Sequence, residues 1–173
     1  PEGEPDRYAM TFNGEIYNYV ELRKELQDLG YTFNTSGDGE PILVGYHHWG
    51  KDVVKHLRGM FGIAIWDTKE KQLFLARDPF GIKPLYYATT DKGTVFASEK
   101  KCILEMAPEL GLDLSVDYRA VEHYVDLQYV PEPESLHTHI RRLESGCIGT
   151  VTQEGVVKQE RYFKPQFNVR GVV

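Results

Sequence analysis

A chain of 173 residues is the length of one domain. With 41% hydrophobic and 27% charged residues it can bury a core, and nothing points to long disorder. Its formal net charge of −6 argues against a nucleic-acid surface, which carries a basic excess, and no apolar run reaches the ~18 residues of a membrane helix.

The segment 1–6 reads as loop. It starts on Pro1 rather than Met and runs straight into a strand, which reads as a fragment whose earlier residues are missing. Residues 8–13 are strand-like, with Gly14 as a stop. Helical spacing follows over 15–29, with apolar residues recurring at Val20, Leu22, Leu26 and Leu29 and Gly30 ending it. A turn-rich link at 32–38 leads to a second helix at 40–49. Pro41 suits its first turn, and Gly50 ends it. A third short helix is expected at 51–57.

The apolar run 60–66, a turn at 67–71 and the run 73–76 predict a hairpin of buried strands. Residues 85–88 and 94–97 predict a second hairpin around Asp91-Lys92-Gly93. Ser98 is placed to cap a helix running to about Met106, and another helix is expected at 116–125. A last hairpin joins 148–152 to 156–158 through Gln153-Glu154-Gly155. Helices and hairpins are grouped rather than alternating, so the fold class is α+β, with antiparallel sheets covered by helices. The stretch 163–173 has no periodicity and reads as the start of a linker.

Phosphate-binding, dinucleotide, GxSxG and HExxH signatures are all missing from the chain. His47 and His48 are adjacent, so on a helix they point about 100° apart and do not share a metal easily; His56 stands alone. The site reading therefore assigns no metal. Two cysteines, Cys102 and Cys147, are too few for a disulfide framework and read as free thiols of a reducing, cytoplasmic setting.

Three segments carry chemistry. In Phe12-Asn13-Gly14-Glu15-Ile16-Tyr17-Asn18, an Asn amide and a Gly backbone N–H at a strand corner can converge on a developing oxyanion. Asn-Gly is also a common hairpin turn. In Ser36-Gly37-Asp38-Gly39-Glu40, Asp38 either caps the next helix or, together with Glu15, binds a cation such as an α-ammonium group. The segment Arg77-Asp78-Pro79-Phe80-Gly81-Ile82-Lys83-Pro84 is too rich in special residues for a plain connection, although a locally paired Arg and Asp could make it architectural.

Six segments occur in one order: Phe-Asn-Gly-Glu-Ile-Tyr-Asn, Gly-Asp-Gly-Glu, Leu-Arg-Gly-Met-Phe, Arg-Asp-Pro-Phe-Gly-Ile-Lys-Pro-Leu-Tyr-Tyr, Ala-Ser-Glu-Lys-Lys and Tyr-Val-Pro-Glu-Pro-Glu-Ser-Leu. In that order the chain resembles the glutaminase part of the glutamine-hydrolysing asparagine synthetases, from about Tyr8 to about Phe163. The resemblance implies an N-terminal nucleophile hydrolase fold, a four-layer sandwich of two antiparallel sheets between helical layers. It implies a glutaminase domain over 1–162 and the start of a linker to a synthetase domain over 163–173.

The implied reaction is attack of an N-terminal cysteine thiolate on glutamine, releasing ammonia for amidation of a carboxylate, aspartate to asparagine. By motif position, Asn13 and Gly14 resemble the oxyanion hole. Together with Glu15 and Asp38 they resemble the glutamine-binding residues. The partners implied are glutamine and the chain's own C-terminal synthetase domain, which would use ATP and Mg; no cofactor is implied within these residues, and no nucleic acid or membrane. The oligomeric state stays open, a homodimer included.

Neither Cys102 nor Cys147 has the free α-amino group that serves as base in this fold, so these residues alone are expected to be inactive. Two other readings stand beside this one: the same chemistry with another acceptor, such as a cell-wall precursor, and a non-catalytic glutamine-binding module.

Overall fold

The computed structural model describes residues 6–152, 155 and 157–166. The loop read at 1–5, the turn residues Gln153 and Glu154, Val156 and the stretch 167–173 lie outside the described residues.

In chain order the elements are β1 (Tyr8–Ile16), α1 (Tyr19–Asp28), α2 (Gly39–Trp49), a 3-10 turn (Gly50–Lys55), β2 (Gly59–Asp67), β3 (Gln72–Arg77), β4 (Tyr86–Thr90), β5 (Gly93–Ala97), α3 (Lys100–Leu110), α4 (Tyr118–Leu127), β6 (Arg141–Arg142), β7 (Cys147–Val151) and β8 (Val157–Arg161). One sheet has the order β1-β2-β3-β7-β8 and the other β5-β4-β6, with every pairing antiparallel.

Strand alternation sorts the side chains into layers. On the outer face of the larger sheet, Phe61, Ile63, Ile65 and Phe74 pack with Leu22 and Leu26 of α1 and Ile42 and Val44 of α2. On its inner face, Ala64, Leu73 and Leu75 meet Leu85, Tyr87 and Phe96 of the second sheet's side. Beyond that sheet, Ala88 and Val95 pack on Ile103 and Ala107 of α3. The order is helices, sheet, sheet, helices, which is the expected four-layer α+β sandwich.

Three local expectations are corrected. First, β1 does not stop at Gly14. It pairs with β2 over nine residues, from Tyr8 opposite Asp67 to Ile16 opposite Gly59. The expected helix at 15–29 is therefore shorter, and α1 begins at Tyr19. Glycine permits the extension because the strands touch there. A Cβ on Gly14 would lie 2.0 Å from the Met60 carbonyl oxygen, and one on Gly59 would lie 2.1 Å from that of Glu15.

Second, Ser98 does not cap α3: Glu99 holds the cap position, and no side chain caps the helix. Third, α3 runs past Met106 to Leu110. Pro108 sits in its last turn, and Gly111, at φ 64°, ends it in the left-handed region.

Candidate active site

The strand β1 lies at an edge of the larger sheet among the described residues, and its pairing decides which groups it presents outward. In an antiparallel ladder the N–H and C=O of one residue point to the same side. Those of Phe61 point to Asp78: the Phe61 N–H donates to the Asp78 carboxylate at 3.2 Å, and its carbonyl accepts from the Asp78 N–H at 2.9 Å. Gly14 is opposite Phe61, so the two form a non-hydrogen-bonded pair and the Gly14 N–H faces the sheet edge.

Ile16 has the same parity. Its N–H also faces outward, where it donates to the Asp38 carboxylate at 3.0 Å. The edge of β1 thus carries a Gly14 N–H and, two residues or about 7 Å along, a carboxylate.

Asp38 occupies the cap position of α2 without capping it by its side chain. The preceding loop holds it in place. Arg23 donates to the carbonyls of Thr35 and Gly37 at 2.7 and 2.8 Å. The Glu40 carboxylate accepts the N–H groups of Asn34 and Thr35 at 2.9 and 2.7 Å. Burial opposes the charge on Glu40, but these donors and Arg23 outweigh it and hold its carboxyl below the usual range.

Asn13 and Glu15 share the face of β1 opposite to Tyr8, Met10 and Phe12, which pack on the helical layer. Asn13 therefore looks between the sheets, into a cavity of about 290 Å³ that it lines with Thr11, Gly62, Phe96 and Ser98. Its Nδ2 donates to the Ser98 hydroxyl at 3.0 Å. Glu15 is exposed. The next two residues anchor the strand end: the Tyr17 N–H donates to the Arg58 carbonyl at 2.7 Å, and the Asn18 amide bridges the His56 carbonyl and the Arg58 N–H at 2.9 and 2.8 Å.

The four residues singled out in the sequence thus gather at one end of β1, although Asn13 faces inward while Asp38 lies on the edge. The Asn-Gly pair is not a hairpin turn. Ser98 is the residue that sequence reading missed. It is 85 positions from Asn13, and only the packing of the two sheets brings them together.

The other candidates go elsewhere. The Arg77 guanidinium, 4% exposed, donates to the carbonyls of Lys83, Gly81 and Leu143 and to Glu132. Asp78 is fully buried and accepts the N–H groups of Phe61, Phe80, Ile82 and Lys83. Each clamps the loop at 79–84, and they do so as separate anchors rather than as a pair.

His47 meets the Tyr8 hydroxyl, His48 meets that of Tyr31, and His56 stacks on Trp49 with ring centroids 3.9 Å apart. Cys102 is exposed on α3. Cys147 is buried in β7, where burial pushes its thiol pKa up; neither lines the cavity at Asn13.

Comparison with known proteins gives this arrangement its family. Residues 3–163 match the family model described as a glutamine amidotransferase domain. A protein of Mycobacterium tuberculosis is 56% identical over 169 residues, covering 96% of this chain and 26% of the relative. The glutamine-hydrolyzing asparagine synthetase 1 of Bacillus subtilis is 43% identical over 164 residues, covering 95% of this chain and 25% of the relative. The chain therefore spans about a quarter of the length of these curated relatives.

Among solved structures, a glutamine phosphoribosylpyrophosphate amidotransferase of Bacillus subtilis superposes with a TM-score of 0.64 at 22% identity, over 92% of this chain and 30% of that one. At that identity the match speaks for the fold alone. By the extent of the family match and the closeness of these relatives, the chain belongs to the glutamine amidotransferase domain family.

Proposed function

We propose that this chain is the glutaminase unit of an enzyme resembling glutamine-hydrolysing asparagine synthetase, releasing ammonia from glutamine to amidate the side-chain carboxylate of aspartate. The observation that supports it most is the edge of β1, where an outward Gly14 N–H and the Asp38 carboxylate stand about 7 Å apart beside the inward Asn13 amide. That spacing suits an amino acid with an amide at one end and an ammonium group at the other.

In this reading a cysteine thiolate adds to the side-chain amide carbon of glutamine. A C–S bond forms, and the carbonyl oxygen becomes an oxyanion that accepts hydrogen bonds from the Gly14 N–H and the Asn13 Nδ2. Collapse breaks the C–N bond. The nitrogen leaves as ammonia after taking a proton, and water then releases glutamate from the thioester. Asp38 and Glu15 hold the α-ammonium group.

Neither Cys102 nor Cys147 serves as the nucleophile, because neither lines the cavity at Asn13; it comes from outside these residues. The ATP and magnesium that amidation requires are assigned to the remainder of the longer protein. Among the described residues no helix is long and apolar enough to cross a membrane.

The test is glutamate release from glutamine by the longer protein and by its Cys102→Ala and Cys147→Ala variants. Release that survives both substitutions supports the reading. Loss of release with either one, in a folded protein, would assign the nucleophile to that residue and overturn it.

A further inference from the structure

Tyr86 of β4 and Arg142 of β6 are paired in the smaller sheet, and with Lys100 of α3, Tyr124 of α4 and Tyr129 beyond it they line a cavity of about 260 Å³. No residue of its wall is shared with the cavity at Asn13. Among the described residues the wall carries two cations, Lys100 and Arg142, and no carboxylate.

Neither cation is neutralised. Lys100 is half-buried, and its amine has no hydrogen-bond or ion-pair partner among the described residues, whereas the next residue, Lys101, pairs with Glu99. Burial, and after it the charge of Arg142, holds the Lys100 amine below the ordinary lysine range. The Arg142 Nη2 donates to the Tyr86 hydroxyl at 3.0 Å, but its Nε is buried without a partner. Glu132 lies 3.9 Å from Nη1, and that carboxylate is already engaged by Arg77 and by the Ser145 N–H. A second buried nitrogen without a partner, His137 Nδ1, belongs to the residue after Leu136 of the cavity wall. Folded proteins pair nearly all such atoms, so two of them beside one cation-lined cavity mark it out.

The rest of the wall is aromatic and apolar. Tyr124 is 50% and Tyr129 60% exposed, with Val130 and Leu136 beside them. Two positive charges favour a doubly charged anion over a single carboxylate, and a phosphate monoester carries about −1.5 to −2 at pH 7. The tyrosine rings offer flat apolar faces on which a ring can lie. The volume falls just below the range of drug-sized pockets, roughly 300–1,000 Å³, so the occupant is small.

We propose that this cavity is a second ligand site, separate from the one at Asn13, and that it takes a small phosphate monoester bearing a flat ring. Lys100 and Arg142 hold the phosphate, and Tyr124 and Tyr129 hold the ring.

Calorimetric titration of the longer protein with phenyl phosphate and with methyl phosphate tests this. Phenyl phosphate should bind about fivefold tighter than methyl phosphate. Lys100→Met keeps an unbranched apolar stem but loses the charge, and should weaken both by about tenfold or more. Tyr129→Ser, at an exposed position, should weaken phenyl phosphate and leave methyl phosphate within about twofold. Repeated at alkaline pH in buffers of different ionisation heat, the titration should show proton uptake in the unsubstituted protein that Lys100→Met lacks, because a bound anion restores the charge that burial opposes. No binding of phenyl phosphate, or binding that a folded Lys100→Met protein keeps within about twofold, overturns the proposal. Equal affinity for the two phosphates, or an unchanged preference in Tyr129→Ser, overturns the ring-bearing ligand.

Discussion

Replacing Gly14 with Ala puts a methyl group 2.0 Å from the Met60 carbonyl oxygen, 2.8 Å from the Phe61 Cα and 3.0 Å from the Met60 carbonyl carbon. All three are backbone atoms, so no side chain can swing aside. Reaching the 3.4 Å at which ordinary contact begins requires the strands to part by about 1.4 Å. Such parting strains or breaks two or three hydrogen bonds between β1 and β2, each worth about 1 kcal/mol, and loosens the packing beneath them. The expected loss of stability is about 2–4 kcal/mol.

The same movement shifts the Gly14 N–H and the Asn13 amide relative to the substrate, and a misplacement of about 1 Å costs about 10²-fold in rate. In the longer protein, glutamate release at saturating glutamine should therefore fall at least 10²-fold, with a lowered melting temperature. A Gly14→Ala variant that melts normally and keeps its rate within about threefold would refute the claim that the strands touch at this point.

The other expectations are narrower. Asp38→Asn keeps an oxygen for the Ile16 N–H but removes the charge. The KM for glutamine should rise at least tenfold with a smaller change in kcat, and an unchanged KM would leave Asp38 with only a structural role. Ser98→Ala frees the Asn13 amide to rotate. Steady-state kinetics should show a several-fold loss of kcat at unchanged KM, restored by Ser98→Thr; equal losses in both would argue against a positioning role.

Asp67 gives a pH signature. Burial opposes its charge, but Arg7 at 2.8 Å and the N–H groups of Glu70 and Lys69 outweigh this and hold its carboxyl below the ordinary range. A depressed folded-state pKa contributes stability that is fully present above the unfolded-state value and is lost as the pH falls through the folded one. Melting temperature against pH should therefore fall less steeply on the acid side for Asp67→Asn, and an identical acid limb would contradict the assignment.

Much of this was legible in the sequence because it rests on local pattern. The apolar runs at 60–66 and 73–76 became the paired β2 and β3, and Asp91-Lys92-Gly93 marked the turn between β4 and β5. What failed was decided at a distance. Gly14 reads as a stop until β2 lies beside it, when the same glycine becomes the residue that lets two backbones approach. Ser98 precedes a helix and reads as its cap, but the neighbouring sheet supplies Asn13, and the hydroxyl turns there. Asp38 likewise sits at a cap position and spends its carboxylate on Ile16 of another element. The candidate site residues could be named from type and order alone, whereas their partners depended on which strand lies at the edge and which way each pair faces.

The central claim is that Asn13 and Gly14 together stabilise the oxyanion formed from glutamine. Steady-state glutamate release by the longer protein carrying Asn13→Ala tests it most directly. Loss of one oxyanion donor is expected to lower kcat about 10²–10³-fold with KM for glutamine nearly unchanged. A folded Asn13→Ala variant with kcat within about threefold of the unsubstituted protein would contradict the account.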